Sequence, residues 1–278
     1  MGETGRKSNI KFSIIVVCLN AGERLGITVN SILGQSFGDY EIIVKDGLSS
    51  DGSVERLPAD GRIRVFCERD RGIYDAMNQA LCRVRGEYVY FLNSGDVFYD
   101  RDVLLRVKER MEERKKEGSG TKYIFYGDIF EHRTKGRVSS NPSMDAFGCY
   151  RNVPCHQACF YGAELMREKG FDIRYRVRAD YEHFLWCFFK GKAETVYLPV
   201  LVADYEGGGF SETKENRKIS ALEHKEIVNK YMTRGQVLKY RLVMMATFAG
   251  VRSWLAGNKW TGRAYQWAKG LVYRRGKR

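Results

Sequence analysis

Polar and acidic residues follow four apolar segments in the first hundred residues of the chain. Asn20 comes shortly after FSIIVVC (12–18), and Asp46 opens the turn DGLSSDG after YEIIVK. Asp70 follows RIRVFC, and Asp96 ends NSGD after YVYFL. Acidic groups repel a pyrophosphate unless a divalent cation intervenes, and carboxylate oxygens suit Mg²⁺ or Mn²⁺. The pattern predicts a site for a polar, phosphate-bearing ligand, with Asp96 as the metal carboxylate.

The four apolar segments are predicted strands, and helical patterns separate them. Segment 12–18 is a continuous apolar run, typical of a strand buried on both faces. Residues 25–33 and 73–84 carry apolar side chains at helical spacing. Strands that alternate with helices form βαβ units, so we expect an α/β fold with a mainly parallel central sheet flanked by helices. Ligands bind outside the carboxyl ends of such strands, which gathers the polar residues along one edge.

Neither of the common phosphate-binding loops is present. The sequence lacks G-x-x-x-x-G-K-[ST], and no G-x-G-x-x-G follows the first strand. This argues against P-loop nucleotidases and dinucleotide enzymes. A bound nucleotide must be held in another way, and Arg69 and Arg71 are candidates for compensating its charge.

The second half of the chain carries two further candidates. Asp180 lies at the start of an apolar helix predicted near 181–189. At this position an acidic residue can cap the helix, and the helix dipole favours its negative charge. His156 precedes an apolar strand predicted near 158–161. A lone histidine is more often a structural hydrogen-bonding group than a ligand. Zinc is not expected, because the spacing of Cys149, Cys155, His156 and Cys159 is not a standard one.

Four stretches of sequence, in order and in their strand context, resemble a known family. They are SIIVVCLNAGERLGITVNSILGQSF, EIIVKDGLSSDGS, ERDRGIYDAMNQAL and GEYVYFLNSGD. Together they are similar to a family 2 glycosyltransferase of GT-A (Rossmann-like) fold, of the bacterial polysaccharide and lipopolysaccharide type. The resemblance covers residues 10–100 strongly and extends more weakly to residue 210. It implies inverting transfer of a hexose or N-acetylhexosamine from a nucleotide-diphosphate donor, a UDP-sugar, to a hydroxyl of a glycan or lipid-linked glycan during cell-surface polysaccharide synthesis.

The resemblance implies roles for the residues at the strand ends. Asn20 and Asp46 would contact the nucleoside, with Asp46 accepting from the base. The remaining donor contacts are assigned to Arg69, Asp70, Gly72, Asp75, Asn78, Ser94 and Gly95. Asp96 matches the family's metal-binding stretch, with Mn²⁺ or Mg²⁺ as the expected cofactor. Asn93 and Gly95 stand where the family often has Asp, so Asp96 alone remains as a metal carboxylate.

The resemblance also implies a catalytic base. The stretch RADYE (178–182) resembles the acidic pair that supplies it, and Asp180 would take the proton from the acceptor hydroxyl. Helix capping by Asp180 is the plain alternative, and the two roles are compatible. His156-Gln157 matches a His-Gln of related sequences, which implies contact of His156 with the diphosphate, the metal or the acceptor.

The positive charge of the chain is concentrated at its end. The net charge is +13, yet eleven Lys or Arg and no acid lie between Tyr231 and the C-terminus. We therefore expect a glycosyltransferase domain over 10–230 (donor half 10–100, acceptor half 101–230) and a helical basic extension over 231–278. Its Trp254, Trp260 and Trp267 favour binding to an anionic membrane surface. The alternative is a pair of helices that packs on the body and leaves its basic face in solvent. Nucleic acid is not expected as a partner.

Two alternative functions remain at this point. A sugar nucleotidyltransferase would need a Gly-rich, Arg-bearing loop after the first strand, where the chain has LNAGERL. A non-enzymatic basic binding protein would spread its charge over a folded face.

Three features of the sequence bear on location. The seven cysteines are an odd count, the N-terminus lacks the apolar region of a signal peptide, and no apolar run reaches the length of a membrane span. We therefore expect a cytoplasmic protein, peripheral on the inner face of the membrane.

Overall fold

The computed structural model describes residues 10–117, 122–132, 135–206 and 213–247, together with Thr261, Tyr265 and Ala268. Most of the predicted basic extension, including its three tryptophans, therefore lies outside the described residues. The division of the chain at residue 231 stays a prediction. Among the described residues, no helix is both long and apolar enough to cross a bilayer.

In the ranges that the structure describes, nine strands form one sheet. In chain order they are β1 (Phe12–Cys18), β2 (Tyr40–Asp46), β3 (Ile63–Cys67), β4 (Tyr88–Phe91), β5 (Val97–Phe98), β6 (Tyr123–Glu131), β7 (Gly136–Val138), β8 (Cys159–Gly162) and β9 (Glu194–Tyr205). The strand order is β3-β2-β1-β4-β8-β6-β9-β5, with β7 paired to β6. All four strands predicted in the first hundred residues are present and lie side by side.

The part of the sheet formed by β1 to β4 is parallel, and the remaining part is mixed. Strands β1, β2, β3 and β4 are mutually parallel, and β1 pairs with β2 from Phe12 opposite Tyr40 to Cys18 opposite Asp46. Strand β8 is antiparallel to both β4 and β6, while β9 is parallel to β6 and antiparallel to β5. The predicted α/β sheet is confirmed: it is fully parallel over β1 to β4, which the βαβ pattern covers, and mixed in the other strands.

Eight α-helices and one 3₁₀ turn accompany the sheet in the described residues. They are α1 (Glu23–Leu33), α2 (Ile73–Leu81), α3 (Val103–Glu117), α4 (Ala146–Arg151), the 3₁₀ turn (His156–Ala158), α5 (Ala163–Glu168), α6 (Ala179–Phe189), α7 (Lys214–Tyr231) and α8 (Arg234–Ala246). Helix α8 begins at a capping box formed by Thr233 and Gln236, which supplies partners for the free N–H groups at the helix start.

The sheet separates two hydrophobic layers, because successive side chains of a strand point to opposite faces. Ile14 and Val16 of β1 belong to the layer that α1 and α3 complete. Ile15 belongs to the opposite layer, which α2, α5, α6 and α7 complete. A fully buried large apolar side chain stabilises the fold by about 2 kcal/mol. Both layers therefore hold the ends of β1 and β4 in fixed positions beneath the site.

Candidate active site

A cavity of about 1000 Å³ opens at the carboxyl ends of β1 and β4. Its floor includes the residues that follow these two strands, and its far wall includes the 3₁₀ turn and the start of α6. Six residues predicted for the site line it: Asn20, Ser94, Asp96, His156, Gln157 and Asp180. Residues separated by 160 positions in the sequence thus meet in one cavity, and the predicted sheet edge accounts for those that follow β1 and β4.

Asn20 and Asp46 shape the first wall of the cavity together. Asn20 has a φ of 49°, its backbone N–H donates to Ser49 Oγ (2.7 Å), and its Oδ1 accepts from the Ser50 N–H (2.9 Å). The buried Asp46 carboxylate accepts from the backbone N–H and the hydroxyl of Ser49 (2.8 and 2.5 Å). These bonds tie the end of β1 to the turn after β2. Asp46 shapes that turn and does not line the cavity, so its contact with the base stays a prediction.

The acidic residues around the start of α2 bind the backbone of their own turn. Asp70 accepts from the Gly72 N–H (3.1 Å) and from Lys45 Nζ (3.1 Å), and the Lys45 side chain is 1% exposed. Asp75 accepts from the Arg71 N–H (2.8 Å). Gly72 has a φ of 126°, a conformation that only glycine adopts without strain. This network positions α2 beside the cavity.

Three other predicted donor residues also lie outside the cavity lining. Asn78 donates to the Phe171 carbonyl (2.9 Å) and accepts from the Phe171 N–H (2.8 Å), which joins α2 to the acceptor half. The exposed Arg69 offers its carbonyl to Gln79. Gly95 has a φ of 104° and donates its N–H to Thr28 Oγ1 (2.8 Å). The structure does not bring these three residues to the cavity wall, and their donor contacts stay predictions.

Asp96 is the most buried acidic residue of the cavity wall, at 6% exposure. Its Oδ2 accepts from Gln157 Nε2 (2.5 Å), and its Oδ1 accepts from the backbone N–H of Glu206 (3.0 Å). Burial raises the pKa of Asp96 above its ordinary value, although these two bonds and the charge of His156 oppose the rise. The 3₁₀ turn and the end of β9 therefore hold this carboxylate in place.

Asp180, at the start of α6, lines the same cavity as Asp96. Its Oδ1 accepts from Tyr74 Oη (3.0 Å) and from the Tyr181 N–H (2.8 Å), and its Oδ2 lies 3.5 Å from His156 Nδ1. Burial acts to raise the pKa of Asp180, but hydrogen bonding and charge from His156, with the bonds from Tyr181 and Tyr74, hold it below its ordinary value. Asp180 is therefore an ionised carboxylate at neutral pH.

The capping role considered for Asp180 is not what the structure shows. The helix begins at Ala179 and its cap residue is Arg178, so Asp180 lies inside the first turn. Its Oδ1 accepts from the N–H of the next residue, its Oδ2 lies beside His156, and the residue lines the cavity. The other member of the acidic pair, Glu182, is fully buried on the far side of the helix and binds Lys169, Lys230 and Tyr231.

Two residues that position Asp180 were not identified from the sequence. Tyr74 of α2 donates to Asp180 and also lies 2.9 Å from the Val177 carbonyl. Burial raises the pKa of Tyr74 well above its ordinary value, so its hydroxyl keeps its proton. Glu223 of α7, 8% exposed, accepts from three successive N–H groups at residues 176, 177 and 178 (2.7, 3.0 and 2.8 Å). Nothing in the sequence around Glu223 distinguishes it from a solvated helix residue.

The family model for glycosyl transferase family 2 matches residues 13–176, more than half of the chain. The chain belongs to this family. Its relatives include a PGL/p-HBAD biosynthesis glycosyltransferase of Mycobacterium bovis, 34% identical over 209 residues, which cover 73% of this chain and 79% of that protein. A putative teichuronic acid biosynthesis glycosyltransferase of Bacillus subtilis, TuaG, is 38% identical over 116 residues, 40% of this chain and 46% of its own length.

Solved structures share the fold of this family 2 glycosyltransferase. Residues 1–349 of S. aureus TarS, in complex with UDP-GlcNAc, match with a TM-score of 0.63 at 16% identity, over 83% of this chain and 70% of that one. The match covers 42% of a longer TarS chain. The mannosyltransferase PcManGT of Pyrobaculum calidifontis, in complex with GDP-Man and Mn²⁺, matches with a TM-score of 0.54 at 16% identity, over 96% and 88%. The expected GT-A fold is confirmed.

Membership of the family decides between the functions left open by the sequence. The chain is a glycosyltransferase, as its resemblance implied. The sugar nucleotidyltransferase and the non-enzymatic basic protein are therefore set aside.

The glycosyltransferase has a donor set that fits a divalent cation. Asn93 Oδ1, Gln157 Oε1 and His156 Nε2 are buried and form no hydrogen bond with a described residue, and all three residues line the cavity with Asp96. Oxygen-rich sets of this kind suit Mg²⁺ and Mn²⁺. In the described ranges, no three His, Cys, Asp or Glu side chains converge as a preformed metal centre would. A cation here would depend on Asp96 supplemented by amide oxygens.

Proposed function

We propose that this glycosyltransferase moves a sugar, a hexose or N-acetylhexosamine, from a UDP-sugar to a hydroxyl of a glycan or lipid-linked glycan, with inversion, in cell-surface polysaccharide synthesis. One observation carries the proposal: Asp180 and Asp96 line the same cavity at the ends of β1 and β4. The names of the relatives, in PGL/p-HBAD and teichuronic acid biosynthesis, support a glycan or lipid-linked acceptor. The UDP-GlcNAc bound by TarS supports a uridine nucleotide.

Asp180 is the general base of the proposed reaction. Its Oδ2 takes the proton of the acceptor hydroxyl while that oxygen attacks the anomeric carbon of the donor sugar. The bond from the anomeric carbon to the diphosphate oxygen breaks, and its electron pair leaves with the nucleoside diphosphate. A single displacement of this kind inverts the anomeric centre. Tyr74 and Tyr181 bind Oδ1, which leaves Oδ2 as the oxygen that receives the proton.

A divalent cation at Asp96 would neutralise charge on the leaving diphosphate. Asp96 and the amide oxygens of Asn93 and Gln157 are the groups that would hold it. Gln157 also fixes Asp96 through its Nε2, because the Gln157 backbone carbonyl is itself anchored by the Tyr90 hydroxyl (2.7 Å). His156 lies beside Asp180 through its Nδ1, and its buried Nε2 has no hydrogen-bond partner among the described residues.

A donor screen tests the proposed donor and cofactor. Purified protein is incubated with UDP-, GDP- and dTDP-sugars, in Mn²⁺, Mg²⁺ or EDTA, and release of the nucleoside diphosphate is measured. We expect the protein to release UDP from a UDP-sugar in Mn²⁺ or Mg²⁺ and not in EDTA, because the carboxylates on the cavity wall repel an uncompensated diphosphate. Equal release in EDTA would contradict the proposed requirement for a cation. Release from only GDP- or dTDP-sugars would contradict the proposed UDP donor.

The exposed face of α8 supports our proposal of a peripheral membrane protein. Leu238, Leu242 and Met245 repeat at helical spacing and are 59%, 56% and 65% exposed. Arg234 and Arg241 border this stripe on the helix surface, while the opposite face of α8 packs on the body through residues such as Tyr240. Apolar side chains edged by basic ones suit the surface of an anionic membrane. Helix α8 lies in the described part of the basic extension.

Flotation with vesicles tests the α8 face. We expect the protein to float with vesicles that contain phosphatidylglycerol, and binding to fall when Leu238, Leu242 and Met245 are all changed to Gln. Each basic residue near an anionic surface contributes about 1 kcal/mol, so 1 M salt should also release the protein. The matched control changes three exposed apolar residues elsewhere, Ile27, Val65 and Ile173, to Gln. Equal flotation of the α8 variant and the control would contradict the assignment.

A further inference from the structure

Three arginines line the part of the cavity formed by the acceptor half, and none of them forms an ion pair with a described carboxylate. Arg151 ends α4, Arg178 caps α6, and Arg217 lies in the first turn of α7. A cation in the first turn of a helix opposes the helix dipole, so the position of Arg217 does not stabilise α7. Three elements thus bring positive charge to one wall of the cavity.

Arg178 is held in a defined orientation. Its Nε donates to the carbonyl and the hydroxyl of Ser220 (3.0 and 2.7 Å), and its guanidinium carbon lies 5.3 Å from the centre of the Tyr181 ring. In the described residues, nothing accepts a hydrogen bond from its two terminal nitrogens. Paired terminal N–H groups with a fixed plane are the arrangement that binds phosphate or carboxylate oxygens in a bidentate manner.

The carboxylates around this wall are already engaged. Glu223 binds three backbone N–H groups, and Glu206 pairs with Arg24 at 2.7 Å. Glu215 pairs with Arg176 at 3.5 Å. Asp180 is turned toward Tyr74 and His156. The charge of the three arginines is therefore left for a ligand in the cavity.

We propose that the acceptor carries a phosphate or diphosphate group, and that Arg151, Arg178 and Arg217 bind it beside the hydroxyl presented to Asp180. The proposal rests on the proposed function, because it assigns the second substrate of that reaction. The diphosphate of the donor is not the ligand in question. The residues predicted for the donor follow β1 to β4, whereas the arginines lie on α4, α6 and α7.

Calorimetric titration tests this anion site without turnover. Inorganic pyrophosphate and geranyl diphosphate are titrated separately into protein saturated with UDP, after the affinity for UDP has been measured in the same buffer. We expect both to bind beside UDP. The triple change of Arg151, Arg178 and Arg217 to Gln is expected to lower both affinities at least about tenfold, with UDP affinity unchanged. Tighter binding of geranyl diphosphate identifies a lipid-linked diphosphate, and equal binding identifies a phosphate on the glycan.

Two further variants keep the test decisive if the triple variant does not fold. The double change of the exposed Arg151 and Arg217 retains the Arg178–Ser220 contacts and should weaken pyrophosphate binding by a smaller factor. The control changes three exposed arginines that do not line the cavity, Arg85, Arg101 and Arg167, to Gln and should bind pyrophosphate normally. Absence of pyrophosphate binding to the UDP-saturated protein, or equal affinity in the double variant and the control, overturns the proposal. Failure of UDP itself to bind counts against the proposed function. Pyrophosphate is then titrated into the free protein, where equal affinity in the double variant and the control still overturns the anion site.

Discussion

Changing Asp180 to Asn is expected to lower the rate of sugar transfer by about 10²- to 10⁴-fold, the usual contribution of a general base. The asparagine keeps an Oδ1 that accepts from Tyr74 and the Tyr181 N–H, so the start of α6 should keep its structure. It cannot accept the proton of the acceptor hydroxyl. Single-turnover transfer and nucleotide affinity are measured on the same preparation, and we expect loss of transfer with unchanged affinity.

The matched control for this substitution is Asp145 to Asn. Asp145 caps α4 by accepting from the Gly148 N–H (2.7 Å), and Asn caps helices equally well, so transfer by this variant should equal that of the wild type. If Asp180 had only a structural role, Asn at position 180 would lower thermal stability and leave the rate per folded molecule intact. Parallel loss of nucleotide affinity would place Asp180 in the donor site and contradict its role as a base.

The pH profile gives a second check on Asp180. Its pKa lies below the ordinary value, so the base is ionised above about pH 5. Protonation of Asp180 should therefore cause no loss of transfer between about pH 5 and 8. Changing Tyr74 to Phe removes one bond to the carboxylate and should move the pKa of Asp180 upward, so the acid limb of the rate profile is expected to shift to higher pH.

The edge of the sheet that carries the site could be predicted from local patterns alone. The runs at 12–18, 40–45 and 88–92 are apolar enough to be buried strands, and the polar residues that follow them must then share one edge. Asn20, Ser94 and Asp96 lie on the cavity for this reason. The strands that depend on distant partners were not predictable in the same way. Strand β5 has two residues and exists through its pairing with β9, about a hundred positions later.

Residue type did not reveal what each carboxylate binds. Asp46, Asp70 and Asp75 resemble ligand-binding acids in the sequence, yet their oxygens accept from N–H groups of nearby turns. A short acidic side chain after a strand suits both purposes, because turns and ligands offer the same kind of donor. The positioning of Asp180 by Tyr74 and Glu223 was hidden for another reason. These residues lie 106 and 43 positions from Asp180, and only tertiary packing brings them together.

Changing Glu182 to Gln is expected to lower the free energy of unfolding by about 3 kcal/mol, the usual loss when one member of a buried ion pair is removed. The carboxylate is fully buried and accepts from Lys169, from Lys230 (2.7 Å) and from the Tyr231 hydroxyl. Glutamine has the same size but offers one acceptor oxygen and no charge. The network joins α6 to α7, so its loss weakens the packing that carries both Asp180 and Glu223. Urea unfolding at pH 7 measures the loss.

The pH dependence of this loss distinguishes the charge of Glu182 from its shape. Burial acts to raise the pKa of Glu182, but the bonds from Lys169, Lys230 and Tyr231 hold it below the ordinary value. A depressed pKa contributes stability that is complete above the unfolded value of about 4.3 and is lost as the pH falls through the folded value. The gap between wild type and variant should therefore be constant from about pH 5 to 8 and shrink below about pH 4. The control, Glu215 to Gln, breaks the exposed pair between Glu215 of α7 and Arg176 and should cost less than about 1 kcal/mol. A gap that persists unchanged at low pH would show that packing, and not charge, accounts for the effect.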